Sequence, residues 1–238
     1  MNIFKFLADN GIDTVDSSFY SKISEWESWY INNVRGFSTY RLYSGNGTST
    51  LHKRRTLGLA KKVSEDMASL LLNENVEITT DNEVVNKYIK KVFEENEFSL
   101  KGNEYQERKS AVGTVSYVTY LHDMIVYPEE GGRTEGGRVG INYFTAKDIF
   151  PITWANGKIT ECAFRQWKTW NRRKFMILQI HQFKTLVTMD ADGTFWPGAE
   201  EYVITNRIIE VKEGSEDGQE LPQSEWKNYP TELSSIPQ

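Results

Sequence analysis

Leu57, Ala60, Val63, Met67, Leu70 and Leu71 recur at intervals of three and four, the spacing that lines one face of an α-helix. Lys61, Lys62, Glu65 and Asp66 fall between them, so the pattern predicts a helix with a buried stripe and a wet face. The bases Lys53, Arg54 and Arg55 precede this helix, and it stops at Asn73, Glu74 and Asn75 ahead of a short strand ending at Ile78. Upstream, Ile23, Trp26 and Tyr30 share one helical face over 21–30, with Trp29 beside them. Residues 44–50 (SGNGTST) read as a loop, because glycines and small polar residues favour turns.

Downstream, Asp81 is placed to cap a second helix whose stripe is Val84, Val85, Tyr88, Ile89, Val92 and Phe93, ending near Glu95. A third helix runs over about 100–112, with Gly113 as its left-handed C-terminal cap. The period then changes. Residues 114–120 (TVSYVTY) alternate β-branched and aromatic side chains as a strand does. A glycine-rich, charged excursion covers 128–137, and a strand returns over 139–144. Asn156-Gly157 is a two-residue hairpin signal. Strands over 159–170 and 174–183 pair around residues 171–173, and a further hairpin turns at 190–193. The last strand is 202–211 (YVITNRIIEV), after which the apolar period disappears into a loop held at Trp226 and Tyr229. Helices first and antiparallel strands second define an α+β chain. It divides into an aromatic-rich arm with a short helix over 1–52, an α+β domain over 53–211 and an acidic irregular tail over 212–238.

At 238 residues the chain can bury a sizeable core, and seven Trp, twelve Tyr and twelve Phe offset a modest 39% hydrophobic content. No window approaches the roughly 20 apolar residues that cross a bilayer. Cys162 is alone, which excludes an intrachain disulfide and suits a buried strand position. The net charge of −5 is set by the end of the chain, where seven acids from Glu210 onward face only Lys212 and Lys227. Removing these from totals of 33 acids and 28 bases leaves 26 of each, so the remainder is neutral. A free DNA-binding domain carries a basic excess instead. Any contact with nucleic acid must therefore be local, transient or sterically enforced. Lys53, Arg54, Arg55, Lys61 and Lys62 precede the helix's first acid, Glu65. They read either as a solvated helix face or as a contact surface for phosphate or an acidic neighbour. Bases at a helix N-terminus oppose its dipole, which favours the external partner.

No catalytic constellation emerges. His52, His122 and His181 have no second ligand at metal spacing. Asp190-Ala-Asp192-Gly193 departs from a calcium loop and reads as a β-turn. The glycine pairs at 131–132 and 136–137 do not lead from a strand into a helix, and there is no phosphate loop or nucleophile elbow. No cofactor is implied. Trp154, Trp167, Trp170 and Trp196 lie in the strand-rich half, either as core or as a platform for stacking sugars or single-stranded nucleic acid.

Two separated blocks carry a family likeness. The first comprises Arg54, Arg55, Leu57, Leu59, Ala60, Lys61, Met67, Ala68, Leu70, Leu71, Asn73 and Glu74. The second comprises Ala146, Asp148, Phe150, Pro151, Trp154, Asn156, Gly157, Lys158, Ile159, Thr160, Glu161 and Phe164. Together, and in this order, they resemble the portal proteins of tailed bacteriophages that infect Gram-positive bacteria, over most of residues 20–215. The resemblance implies a non-enzymatic virion subunit, assembled in the host cytoplasm into a homo-oligomeric ring, usually a dodecamer. Such a ring docks terminase, scaffold or capsid proteins and head–tail connectors, and double-stranded DNA passes through it non-specifically during packaging and ejection. The matched part corresponds to the mixed α+β wing, so the chain is expected to be the N-terminal portion of such a subunit, without stem and clip. The alternative is a free-standing module whose Trp-bearing sheet holds a glycan or single-stranded nucleic acid.

Overall fold

The structure, a computed structural model, describes residues 2–72, 76–127, 133–189, 195–211 and 218–228. Among these residues are five α-helices and nine strands, all strand pairs antiparallel, which is the α+β class that the pattern predicts. The chain forms two compact units, one of residues 1–16 with 148–238 and the other of residues 17–147. These units follow contact density, whereas the division at 52/53 and 211/212 followed composition.

The first unit is a five-stranded meander. Its strands are β5 (Ile149–Ala155), β6 (Lys158–Trp170), β7 (Arg173–Met189), β8 (Phe195–Val211) and β9 (Gly218–Leu221), in sequence order across the sheet. Short turns explain the order. Asn156 and Gly157 take φ of 51° and 74°, the left-handed pair of a type I′ turn whose twist matches the flanking strands. Asn171 and Arg172, at 48° and 61°, do the same between β6 and β7, with Trp170 opposite Arg173.

β7 is buried from Phe175 through His181, on both faces. Phe175 and Ile177 join Ile208, Leu221 and Trp226 in one core cluster, against which Trp170 packs. Helix α1 (Ile3–Asp9) belongs to this unit. Asn2 caps it by accepting from the Phe4 and Lys5 amides, Leu7 is fully buried, and the Phe4 ring meets Phe150 edge-on at 5.8 Å.

Three expectations change here. Residues 218–228, read as irregular, contribute β9 and a 3-10 turn, and Trp226 is buried with Nε1 donating to the Leu221 carbonyl at 3.1 Å. Leu221 and Trp226 are too few to show a period, so only their seats in the core reveal the element. β7 extends beyond 183 and β8 begins before 202, making one long hairpin, because cross-strand pairing carries the ladder through positions with little apolar alternation. Trp154 stands 58% exposed and Trp167 is also exposed, so among the described side chains the core reading holds for Trp170, which is partly buried against the core. The Asp190–Gly193 turn, Tyr229 and the Trp196 side chain lie outside what is described.

The second unit contains helices α2 (Ser17–Tyr30), α3 (Leu59–Leu71), α4 (Glu83–Glu95) and α5 (Phe98–Val112). It also holds two hairpins, β1 (Thr39–Tyr43) with β2 (Ser49–Lys53), and β3 (Val115–Tyr127) with β4 (Arg133–Thr145). The helices pack mainly on α5, and α4 and α5 pack on the β3–β4 hairpin. Ile23 of α2, Val112 and Ala146 form a core cluster, and Tyr30 is buried as well, whereas Trp26 and Trp29 are exposed.

Asn82, not Asp81, caps α4, accepting from the Val84 and Val85 amides at 2.9 and 3.2 Å. The entrance is held one turn earlier, where Asn86 and the Thr80 backbone exchange two hydrogen bonds. Gly113 ends α5 at φ 86°, as its position predicts. Asn96, between α4 and α5, bonds the β4 backbone through both halves of its amide, donating to the Val139 carbonyl and accepting from the Ile141 amide, each at 2.8 Å. It ties the helical corner to the hairpin edge as another strand would.

Residues 44–48 are the β1–β2 turn rather than a free loop, and 133–137 belong to β4. No strand forms over 76–80, which has no regular structure and is exposed, and Asn73–Asn75 lie outside the described residues.

Candidate interaction surface around the basic segment and α3

The basic segment is not the leading face of α3. Lys53 ends β2 opposite Thr39, and α3 begins only at Leu59, after Gly58 at φ 61°. Arg54 is built into the hairpin. Its amide donates to the Ser38 carbonyl at 2.8 Å and its Nε to the Phe37 carbonyl at 2.9 Å. The guanidinium also lies over the Phe37 and Tyr40 rings, at 4.9 and 5.3 Å. Lys53 and Arg55 are exposed, and neither has an ion pair among the described residues.

Lys61 and Lys62 occupy the first turn and a half of α3, each beside an acid. Lys61 lies 3.5 Å from Glu65, and Lys62 lies 3.0 Å from Asp66. The hydrogen bond to Asp66 and its charge hold the Lys62 ammonium above its ordinary pKa. Both lysines line an open cleft of about 550 Å³ with Tyr30, Gly58, Glu65 and Arg108. Arg108 stacks over the Tyr30 ring at 4.9 Å and lies 4.0 Å from Glu27. Tyr30 donates to Glu107, and burial together with that acceptor pushes its phenol up to about 12. The five bases are thus divided between a hairpin, a linker and an ion-paired helix face. Each cleft cation lies next to an acid, so the cleft presents mixed charge, unlike a groove that follows a phosphate backbone.

The larger departure is in α3 itself. The expected buried stripe is exposed, with Val63 at 60% and Leu70 at 76%, and Leu57, Leu59, Met67 and Leu71 exposed too. The residues that α3 buries are Ser64 and Ala68, on a different side of the helix. Small residues decide this orientation, because they let α3 approach α5 closely. A Cβ on Gly102 of α5 would come within 2.7 Å of the Cδ2 of Leu72, the residue that follows α3, so that side chain would have to shift to admit one. Ser64 meets its own need by donating to the Ala60 carbonyl at 3.0 Å. Sequence reasoning located this stripe but assigned it to the core. The small residues four apart on the neighbouring side are the signal that could have separated the two faces.

The second block has a local purpose of its own. Phe150 and Phe164 are buried, and Glu161 accepts from the Phe183 amide at 2.7 Å, joining β6 to β7. Trp154 faces Ile159 at the hairpin end, and Trp167 faces Met176. Along β6 these positions are eight residues apart, roughly 26 Å in a strand, so the two exposed rings do not form one stacking platform. Trp167 instead has Lys174 4.3 Å from its ring centre and Arg165 at 5.6 Å. Cys162 is buried, and burial pushes its thiol up to about 12, which leaves it protonated and unreactive. Among the described residues no three His, Cys, Asp or Glu side chains gather as a metal site would require, and no helix is long and apolar enough to cross a membrane.

Compared with known proteins, residues 10–215 match the family described as phage portal protein, SPP1 Gp6-like. The chain belongs to this family. The match takes in both compact units and both sequence blocks. No curated protein matches the chain. Phage portal proteins are structural, non-enzymatic virion components that assemble with parts of the phage head and tail. The uncovered face of α3 is a run of large apolar side chains exposed together, beyond the scattered single ones usual on a protein surface.

Proposed function

We propose that this chain serves in the head–tail vertex of a tailed phage as a structural subunit of the ring through which DNA is packaged and ejected. The observation that carries this reading is the family match over residues 10–215, continuous across both units. In this reading the described fold is the wing of the subunit, and twelve copies form the ring. Terminase docks on the ring during packaging and connector proteins replace it afterwards. Chemistry on DNA or nucleotide is left to those partners, and the chain itself needs no cofactor. Lys53, Arg55, Lys61 and Lys62 serve as rim contacts to a neighbouring protein or to passing DNA, while Arg54 holds the hairpin that carries them. The near balance of charge over residues 1–209 supports passage without capture, because a channel that neutralised many phosphates would hold the DNA.

Complementation tests this directly. A phage whose portal gene is interrupted should yield heads without DNA, and the portal gene that carries this sequence, with stem and clip supplied, should restore packaging in trans, with this chain's peptides found in purified virions by mass spectrometry. Full-length DNA in virions that lack the chain would overturn the reading.

A further inference from the structure

We propose that the exposed stripe of α3 is the seat for the first half of α4 from a second copy of this chain, in a head-to-tail contact. The inference rests on the ring reading above and names the surfaces that would close the ring. Leu59, Val63, Met67 and Leu70 fall at i, i+4, i+8 and i+11, one continuous line along the helix, and all four are exposed. With Leu57 and Leu71, both exposed as well, they make a contiguous apolar surface of the kind that forms the centre of a specific interface. A monomer has no use for a surface of this size in water.

A ring contact is heterologous, so it needs a second, different patch on the same chain. The start of α4 supplies one. Val84, Val85 and Tyr88 are exposed there, although the same helix buries Val92 one turn later.

The rims of the two patches select each other. Beside the α3 stripe stand Lys62 and Asp66, four residues apart, in the order plus then minus. Beside the α4 patch stand Glu83 and Lys87, also four residues apart, in the order minus then plus. Laid parallel, with Lys62 opposite Glu83 and Asp66 opposite Lys87, the helices place opposite charges together at both positions. The same register puts Val63 against Val84 and Met67 against Tyr88. An antiparallel α3–α3 contact would also cover the stripe, but it is self-complementary and stops at a dimer.

Cysteine pairing between copies of the full chain distinguishes these outcomes. Val63→Cys and Val84→Cys replace exposed side chains, so folding is preserved, and the native Cys162 is buried. Differently tagged Val63→Cys and Val84→Cys chains, mixed and mildly oxidised, are expected to form the mixed disulfide, with little of either homodimer. In parallel, Lys62→Glu should weaken assembly severalfold in light scattering, and Lys62→Glu with Glu83→Lys should restore it. Predominant Val63→Cys homodimers would overturn the head-to-tail contact in favour of the α3–α3 pair. Wild-type rings with no cross-link and no effect of Lys62→Glu would overturn the contact and leave the portal reading intact. A wild-type chain that stays monomeric, also in the presence of the phage's scaffold protein, would remove the ring reading and this contact with it.

Discussion

β7 and α3 are the two most legible apolar segments of the chain, and they meet opposite fates. Phe175 through His181 of β7 are buried on both faces, between neighbouring strands and with residues of β8, β9 and the 3-10 turn over them. The apolar line of α3 stays in water, and the helix buries only Ser64 and Ala68. Periodicity reports that a surface needs covering. Which surface covers it is a separate matter, decided for β7 inside the chain and for α3 outside it. An apolar stripe on a subunit of an assembly therefore carries two readings, and the size of the residues on the adjacent face helps to choose between them.

Removing bulk from each segment should separate them most sharply. Leu178→Ala empties a fully buried site in β7 and is expected to cost about 3–5 kcal/mol, measured by denaturant unfolding. Intermediate between core and surface is Asn96, whose amide makes two hydrogen bonds to the β4 backbone. Asn96→Ala strands a donor and an acceptor there, and a loss of about 1–3 kcal/mol is expected, with faster amide exchange at Ile141 as the local sign.

The core of the first unit also predicts a pH response. His181 is buried, its Nδ1 lies 2.6 Å from the Tyr202 hydroxyl, and burial lowers its pKa below the ordinary 6.5. The folded chain then holds fewer protons than the unfolded chain as pH falls below 6.5, so stability is lost in that direction and is retained above it. Comparing melting temperatures at pH 7.5 and 5.5 should show a smaller acid loss in His181→Gln than in the parent. An equal loss in both would remove His181 as the cause.

The smallest effect on the isolated chain is expected where the apolar side chain is most exposed on α3. Leu70→Ser should change unfolding free energy by no more than about 0.5 kcal/mol while it weakens assembly in light scattering. A large stability loss there would place the stripe in the core after all.

Much of the architecture could be read without coordinates, for local reasons. Asn156-Gly157 dictates a tight hairpin because both residues accept positive φ, and Gly113 ends α5 for the same reason. The strand at 218–221 could not be read, since its evidence is two buried residues, Leu221 and Trp226, with no period between them. Asp81 and Asn82 are both good caps, and the choice between them depended on which side chain met the Val84 and Val85 amides. The basic segment was legible as composition, but not its division, because Arg54 is claimed by carbonyls and rings of a hairpin that composition did not announce.

The sequence by itself determined the α+β class, the turns and the family, because these rest on neighbouring residues and on motif order. Tertiary structure alone decided which side of α3 faces inward. Ser64 and Ala68 mark a second candidate face in the sequence, but which face is covered depends on how α3 packs on α5, a helix far along the chain.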